Sequence, residues 1–384
     1  MIYLDSAATS FRKPPSVQRA VLRAMQTCGS VGRGGYPAAM RAAETVYRCR
    51  ELAGELFEAA PERIVFTCNA THALNIAIRS LVGVGDRVIR SGFEHNAVTR
   101  PLYALGARET VVGRELFAPE KLCAELYEAL QTPASAVVMT QVSNVFGYIL
   151  PTDEIAALCK RAGVPLIIDA SQGAGVLPLS LEKTGAAFLA MAGHKGLYGP
   201  QGTGLLVCGR TGTPLLAGGT GSNSELPEMP DFLPDRLEAG THNVAGIAGL
   251  AEGLRFVLEK APRRILAHEQ SLLKQTAEAL SHLEGVRVFT GEPQGGVLSF
   301  TVRGTDCEEA AQALARRGIS VRAGLHCAPE AHRSAGTLES GTIRVSFSAF
   351  STKAEAARFA AVCRDVFSGE KAPLPSCYCS ENRL

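Results

Sequence analysis

Lys195 stands in Ala190-Met191-Ala192-Gly193-His194-Lys195-Gly196-Leu197-Tyr198-Gly199-Pro200, a run with no other charge apart from any proton on His194. A lysine so placed is either a stranded charge or a nucleophilic amine, because desolvation keeps part of the amine unprotonated and able to condense with a carbonyl. Four further polar positions follow short apolar runs. Thr71, in Thr67-Cys68-Asn69-Ala70-Thr71-His72, opens a helical pattern. Free N–H groups and a hydroxyl there suit a phosphate; the same threonine would also serve as a plain N-cap. His95, in Phe93-Glu94-His95-Asn96, can stack on a planar ring or move a proton, or be a loop histidine without a role. Asn144, in Gln141-Val142-Ser143-Asn144, can donate to a phenolic or carboxylate oxygen or close an Asx turn. Asp169 ends the apolar run Pro165-Leu166-Ile167-Ile168. A carboxylate at that depth needs a cation; a pyridinium N–H is one, and a helix N-cap is the ordinary alternative use.

These positions require elements that end close together. The runs Ile64-Phe66, Arg87-Arg90, Ala136-Thr140, Leu166-Asp169, Ala187-Ala190 and Gly204-Val207 read as strands. Helical patterns separate most of them, including His72 to Val82 and Pro119 to Leu130. Short apolar strands alternating with helices predict an α/β fold, a mostly parallel central sheet covered on both faces. Ligands of such sheets gather at the carboxyl ends of the strands. Helices from Ser16 to Thr27 and from Ala38 to Phe57 precede the sheet, with a glycine-rich loop between them. After a loop from Thr211 to Leu237, one long helical region runs from Val244 to Leu283. An α+β pattern follows, with strands at Val286-Phe289, Val297-Val302, Ser320-Arg322 and Thr342-Ser346 and helices at Cys307-Arg317 and Lys353-Phe367. The chain therefore divides into an extended segment (1–15), a large domain (16–245), a small C-terminal α+β domain (246–370) and a mobile tail (371–384).

The bulk numbers exclude several classes. The 384 residues are 46% hydrophobic and 20% charged, with formal net charge +2, an ordinary globular composition. No basic block points to nucleic acid or an anionic membrane. The N-terminus has neither the cationic start nor the apolar run of a signal peptide, and no stretch nears the roughly 20 apolar residues of a span. A cytoplasmic protein is expected. Eleven cysteines without regular spacing or a CxxC pair argue against a disulfide framework or a zinc site, and no metal is expected.

Together the five strand-end sites supply a phosphate cradle, a ring stacker, a ring-oxygen donor, a ring-nitrogen partner and an amine. That set matches pyridoxal 5′-phosphate. The motifs Tyr3-Leu4-Asp5-Ser6-Ala7-Ala8-Thr9, Asn69-Ala70-Thr71, Glu94-His95-Asn96, Ser143-Asn144-Val145, Asp169-Ala170-Ser171-Gln172, Gly193-His194-Lys195, Glu238-Ala239-Gly240-Thr241 and Arg322-Ala323-Gly324-Leu325-His326-Cys327-Ala328 occur in that order. With them the chain, over residues 1–367, resembles the class V aminotransferase branch of fold-type I pyridoxal-phosphate enzymes, and within it the SufS-like cysteine desulfurases and selenocysteine lyases. The resemblance implies that Lys195 holds the cofactor covalently and moves protons. It implies that Asp169 pairs with the ring nitrogen, His95 stacks on the ring, and Gln172 and Asn144 contact the ring hydroxyl. Ala70, Thr71 and His194 would hold the phosphate, with Thr241 reaching the phosphate site of the other subunit of a homodimer. Arg344 would bind the substrate carboxylate, a task its planar fork suits, with Asn144 beside it and Arg33 lining the partner's site.

Cys327 separates the activities within this family. A desulfurase thiolate takes the sulfur of L-cysteine as a persulfide, for delivery to an acceptor protein, and leaves L-alanine. A nearby His326 or Arg322 would favour the thiolate. Selenocysteine lyase acting on L-selenocysteine fits the same motifs; an aminotransferase or β-lyase would need no thiol, and a cofactor-free scaffold would need neither Lys195 nor Asp169. Ala192 replaces a serine hydroxyl common near the phosphate, and Leu325 replaces a second histidine before the cysteine. The Cys377-Tyr378-Cys379 tail lies outside the resemblance; it is either a tail with adventitious thiols or a swinging pair that accepts sulfur from Cys327.

Overall fold

A strand buried on both faces must be apolar along its whole length, and this is the condition of Ala136–Thr140, Phe188–Ala192 and Gly204–Cys208, buried at every residue. The computed structural model describes residues 1–32 and 34–367. In chain order its first elements are β1 (Ile2–Tyr3), α1 (Pro15–Thr27), α2 (Pro37–Phe57), β2 (Ile64–Thr67), α3 (Ala70–Leu81), β3 (Arg87–Ser91), α4 (Asn96–Ala104), β4 (Arg108–Val112), α5 (Pro119–Ala129), β5 (Ala136–Thr140), α6 (Thr152–Ala162), β6 (Leu166–Asp169), α7 (Leu181–Thr184), β7 (Phe188–Ala192) and β8 (Gly204–Cys208). The described residues of this part form a seven-stranded sheet in the order β2-β8-β7-β6-β5-β3-β4. Strands β3 to β7 pair in parallel, while β8 runs antiparallel to both β7 and β2. Successive side chains alternate between faces. Val137 and Met139 join the core formed with α2, α5, α6 and the later helix Val244–Lys260, and Ala136 and Val138 join the one formed with α3 and α4.

The remainder comprises α8 (Val244–Lys260), α9 (Pro262–Ser281), β9 (Val286–Phe289), β10 (Val297–Val302), α10 (Cys307–Arg316), β11 (Ile319–Ser320), β12 (Arg322–Gly324), α11 (Pro329–Ala335), β13 (Thr342–Ser346) and α12 (Lys353–Phe367). A four-stranded antiparallel sheet, β12-β13-β10-β9, packs Leu298, Phe300, Ile343 and Val345 against Leu272, Leu314 and Phe359 of α9, α10 and α12.

Two sequence expectations need correction. The single long helical region breaks at Ala261, which has φ 65° and precedes Pro262; proline disfavours the helical conformation in the residue before it. The run Ser320-Arg322 divides between two sheets, β11 pairing with β1 and β12 with β13. Within the extended N-terminal lead-in, β1 is a strand and Asp5 bridges in parallel to Ser346. The helices α4 and α11 and the edge strand β4 were not foreseen; β4 is half-buried and begins with Arg-Glu, so it lacks the apolar signal of its neighbours. Among the described residues no helix is long and apolar enough to cross a membrane.

Candidate active site

The parallel strands all deliver their carboxyl ends to one side of the sheet. Ala70, Thr71, His95, Asn144, Asp169, Gln172, His194 and Lys195 line a single cavity there of about 220 Å³. Eight of the twelve site residues expected from sequence are thus brought together.

The turn from β2 into α3 is built as an anion site. Asn69, not Thr71, is the N-cap: its side chain accepts the His72 N–H at 2.9 Å. Ala70 and Thr71 therefore occupy the first helical turn, where N–H groups have no intrahelical acceptor and the helix dipole is positive. Gly204, on the adjoining strand, allows this approach, since a Cβ there would sit 2.7 Å from the Asn69 backbone.

His95 caps α4, its Nδ1 accepting the Ala97 N–H at 3.0 Å, so the neutral ring carries its proton on Nε2. Burial, reinforced by the Lys195 charge, lowers its pKa to about 4, and the ring is neutral at physiological pH. His194 is lowered to about 4 by the same two causes; its Nδ1 lies 3.1 Å from Thr9 Oγ1, and its carbonyl accepts from Ser10 N and Oγ. Lys195 is open to the cavity it lines, and the protein packed around it pushes its ammonium down to about 8, against the opposing pull of Asp169. Asp169 is buried, and its Oδ1 accepts both the N–H of Ser171 at 2.9 Å and its hydroxyl at 2.5 Å. Gln172 donates to the Ala7 carbonyl at 2.9 Å.

Asn144 faces the other way as well. Its Nδ2 donates to the His326 carbonyl at 2.7 Å, and the Cys327 carbonyl accepts the Asn96 N–H at 2.7 Å. These bonds pin the Cys327 loop to the loops that carry Asn144 and His95. His326 and Cys327 both have positive φ, 49° and 56°, and Gly324 beside them has φ 100°. Cys327 is exposed. His326 cannot favour its thiolate as a cation: the ring is buried with Nε2 against Thr342, and burial, then the Arg344 charge, hold it far below its ordinary value. Arg322, the other candidate, is engaged with Asp5. Arg344 is buried on β13 with Nη1 donating to the Asn144 carbonyl at 2.9 Å and Nη2 donating to Asp5 at 2.8 Å.

Thr241 does not join the cavity. It is exposed on a loop held by Glu238, which is buried against Arg50 at 2.6 and 2.9 Å and His242 at 2.6 Å. Arg33, Cys377 and Cys379 lie outside the described residues. Sequence reasoning missed Ser171, Asp5 and Glu94. All three stood inside quoted motifs; Ser171 meets Asp169 two residues before it, whereas the partners of Asp5 come from tertiary structure. Glu94, wholly buried, accepts from Ser91 Oγ at 2.5 Å and Thr140 N at 2.8 Å through Oε1, while Oε2 meets no partner.

Residues 2–359 match the family model described as aminotransferase class-V. A probable cysteine desulfurase of Methanothermobacter thermautotrophicus is 31% identical over 92% of this chain and 92% of its own length. A probable cysteine desulfurase 1 of Mycobacterium leprae is 32% identical over 96% of this chain, which spans 62% of that relative. The apo structure of a cysteine desulfurase from Thermococcus onnurineus NA1 superposes with a TM-score of 0.88 at 29% identity, covering 96% of this chain and 95% of the other.

Proposed function

Because the chain belongs to the class-V aminotransferase family, we propose that it is a pyridoxal-phosphate-dependent cysteine desulfurase, which converts L-cysteine to L-alanine and takes the sulfur on Cys327. The residues present fit the cofactor. The Ala70–Thr71 helix start and His194 would hold its phosphate, neutral His95 its ring face, and Lys195 its carbonyl carbon. Ser171 occupies Asp169 Oδ1, which leaves Oδ2 for a ring N–H. Gln172 and Asn144 each keep a second amide N–H for the ring hydroxyl. When bound, the cofactor supplies a carbonyl for amines and a protonated ring that takes up an electron pair.

The chain's own residues do the rest. Lys195, with its ammonium lowered to about 8, gives up and regains a proton near neutral pH. Arg344 grips the substrate carboxylate. Cys327 Sγ, as thiolate, forms a bond to the substrate sulfur as the carbon–sulfur bond breaks; the electron pair of that bond stays with the substrate β-carbon, which takes a proton to become the methyl of L-alanine, and Cys327 is left as a persulfide with no external oxidant. The single observation that carries this reading is the pinning of the exposed Cys327 loop by Asn144 and Asn96, side by side with the cavity residues. Thr241, exposed on its own chain, serves the cavity of a second copy, so the active form is a homodimer in the cytoplasm that hands sulfur to an acceptor protein.

Purified protein incubated with L-cysteine or L-selenocysteine, with alanine measured, tests the proposal. The Cys327→Ser variant is expected to lose alanine production from L-cysteine and retain it from L-selenocysteine, whose selenium leaves without thiol help. Full activity of the variant on L-cysteine removes Cys327 from the reaction.

A further inference from the structure

Arg344 of β13 and Arg322 of β12 are directly paired across antiparallel strands. Like charges so placed repel, and Arg344 is only 2% exposed. Asp5 lies between them. Its Oδ1 accepts Arg344 Nη2 at 2.8 Å, and its Oδ2 accepts Arg322 Nε at 3.0 Å and lies 3.0 Å from Arg322 Nη2. The backbone fixes it there: Asp5 bridges Ser346, the Ser346 N–H donates to the Leu4 carbonyl at 2.8 Å, and the Ala7 N–H donates to Ser346 Oγ at 2.8 Å.

The consequence concerns how Arg344 can hold a substrate. A guanidinium grips a carboxylate along an edge with two N–H groups. On Arg344 one edge pairs Nε, which is buried without a partner, with Nη2, which Asp5 occupies. The other pairs Nη2 with Nη1, which the Asn144 carbonyl occupies. Each edge is therefore already engaged, and Nη2 is common to both. Asp5, however, has a second partner in half-exposed Arg322. Two arginines against one aspartate also leave one surplus positive charge, enough for one further carboxylate.

We propose that Asp5 is an internal competitor for the substrate α-carboxylate, a positioning residue that holds Arg344 ready and releases Nη2 when the substrate binds, retaining its own contact with Arg322. This rests on the assignment of Arg344 to the substrate carboxylate. The affinity for an amino acid is then set by how Asp5 divides itself between the two arginines.

The test compares Asp5→Asn, Arg322→Gln and the double variant as cofactor-loaded full-length proteins. KM for L-cysteine is read from alanine release, and the affinity for L-alanine from the change it causes in the bound cofactor's absorbance. Asp5→Asn removes the competitor and should tighten both by about fivefold, the size of one ordinary ion pair. Arg322→Gln removes the fallback partner and should weaken both by a similar factor. The double variant should follow Asp5→Asn, because Arg322 acts here only through Asp5. With L-cysteine methyl ester, which has no carboxylate, Asp5→Asn should leave KM unmoved; an equal shift for acid and ester indicates a structural role and overturns the proposal, as does an unchanged or raised KM for L-cysteine. If Asp5→Asn does not fold, Arg322→Gln decides alone: its KM must rise for the acid and not for the ester. Arg344→Lys separates the two layers. An unchanged KM there removes the carboxylate assignment itself, whereas a raised KM beside an inert Asp5→Asn removes only the competitor.

Discussion

Glu94→Gln should make the folded protein less sensitive to rising pH. Burial drives the Glu94 pKa from 4.5 up to about 8, while hydrogen bonds from Ser91 and Thr140 act weakly against it. A folded pKa above the unfolded one means that the native state holds a proton the unfolded chain has lost. That contribution is complete below about 4.5 and is lost as pH climbs to about 8. Glu269, also wholly buried, is raised to about 8 by burial alone and titrates in the same window. The opposing groups act elsewhere. The histidines His72, His95, His194, His326 and His332 all have lowered pKa values, so their differences are spent below 6.5, and Lys13 and Lys195, lowered to about 8, act above that. Between pH 6.5 and 8 each buried glutamic acid therefore costs about 2 kcal/mol, from 1.5 pH units at about 1.4 kcal/mol per unit. The wild-type apo-protein should lose about 4 kcal/mol across that interval, Glu94→Gln about 2, and Glu94→Gln with Glu269→Gln almost nothing. Gln copies the protonated acid, keeping an acceptor for Ser91 and Thr140 at Oε1. Urea unfolding followed by circular dichroism at four pH values suits a chain without tryptophan. The same pH-dependent loss in Glu94→Gln as in wild type would mean that Glu94 is ionised in the folded state, and the burial argument would fall.

Asn144→Ala removes the 2.7 Å bond to the His326 carbonyl and leaves that carbonyl unpaired, a loss of about 1–3 kcal/mol in holding the Cys327 loop. Persulfide formation should slow about tenfold or more while the cofactor's absorbance persists; unchanged sulfur transfer would show that the loop needs no such pin. In the apo-protein, reductive alkylation with a small aldehyde at pH 7.5 should label Lys195 and Lys13 ahead of the other lysines, because burial lowers both to about 8. Peptide mass spectrometry reads the order, and uniform labelling of surface lysines would contradict it.

The sheet was legible because its strands are buried on both faces and so carry unbroken apolar runs; Ala136-Thr140 and Leu166-Asp169 were read to the residue. The site was legible for a related reason, since a polar residue within a few positions of such a run's end lies close to the strand end. Asp169, Lys195, His95 and Thr71 all declare themselves in this way. What stayed hidden depends on pairings distant in sequence. Edge strand β4 has one exposed side and no apolar signature. The break at Ala261 was overlooked because the apolar periodicity runs on past it, although Pro262 marked the spot. Asp5 was visible only as part of a motif; its partners are Arg322 and Arg344, 317 and 339 residues away. The electrostatic role first offered to His326 also failed on burial, which sequence spacing cannot reveal.

The geometry around Cys327 bears on how sulfur leaves the protein. His326 and Cys327 sit in left-handed conformations that cost roughly 1–3 kcal/mol each for residues with side chains. Such a pair persists only where its surroundings over-determine it, and the bonds from Asn144 and Asn96 do so through the carbonyls of those same two residues. Both bonds grip backbone, and neither touches the thiol. The loop is thus anchored at two points while Cys327 remains exposed. A persulfide formed there would stay where it was made, since carrying it elsewhere on this loop would break both anchors at once. An acceptor thiol must therefore come to Cys327, and the rate of sulfur delivery should rise with acceptor concentration; a delivery rate independent of acceptor would contradict a pinned donor.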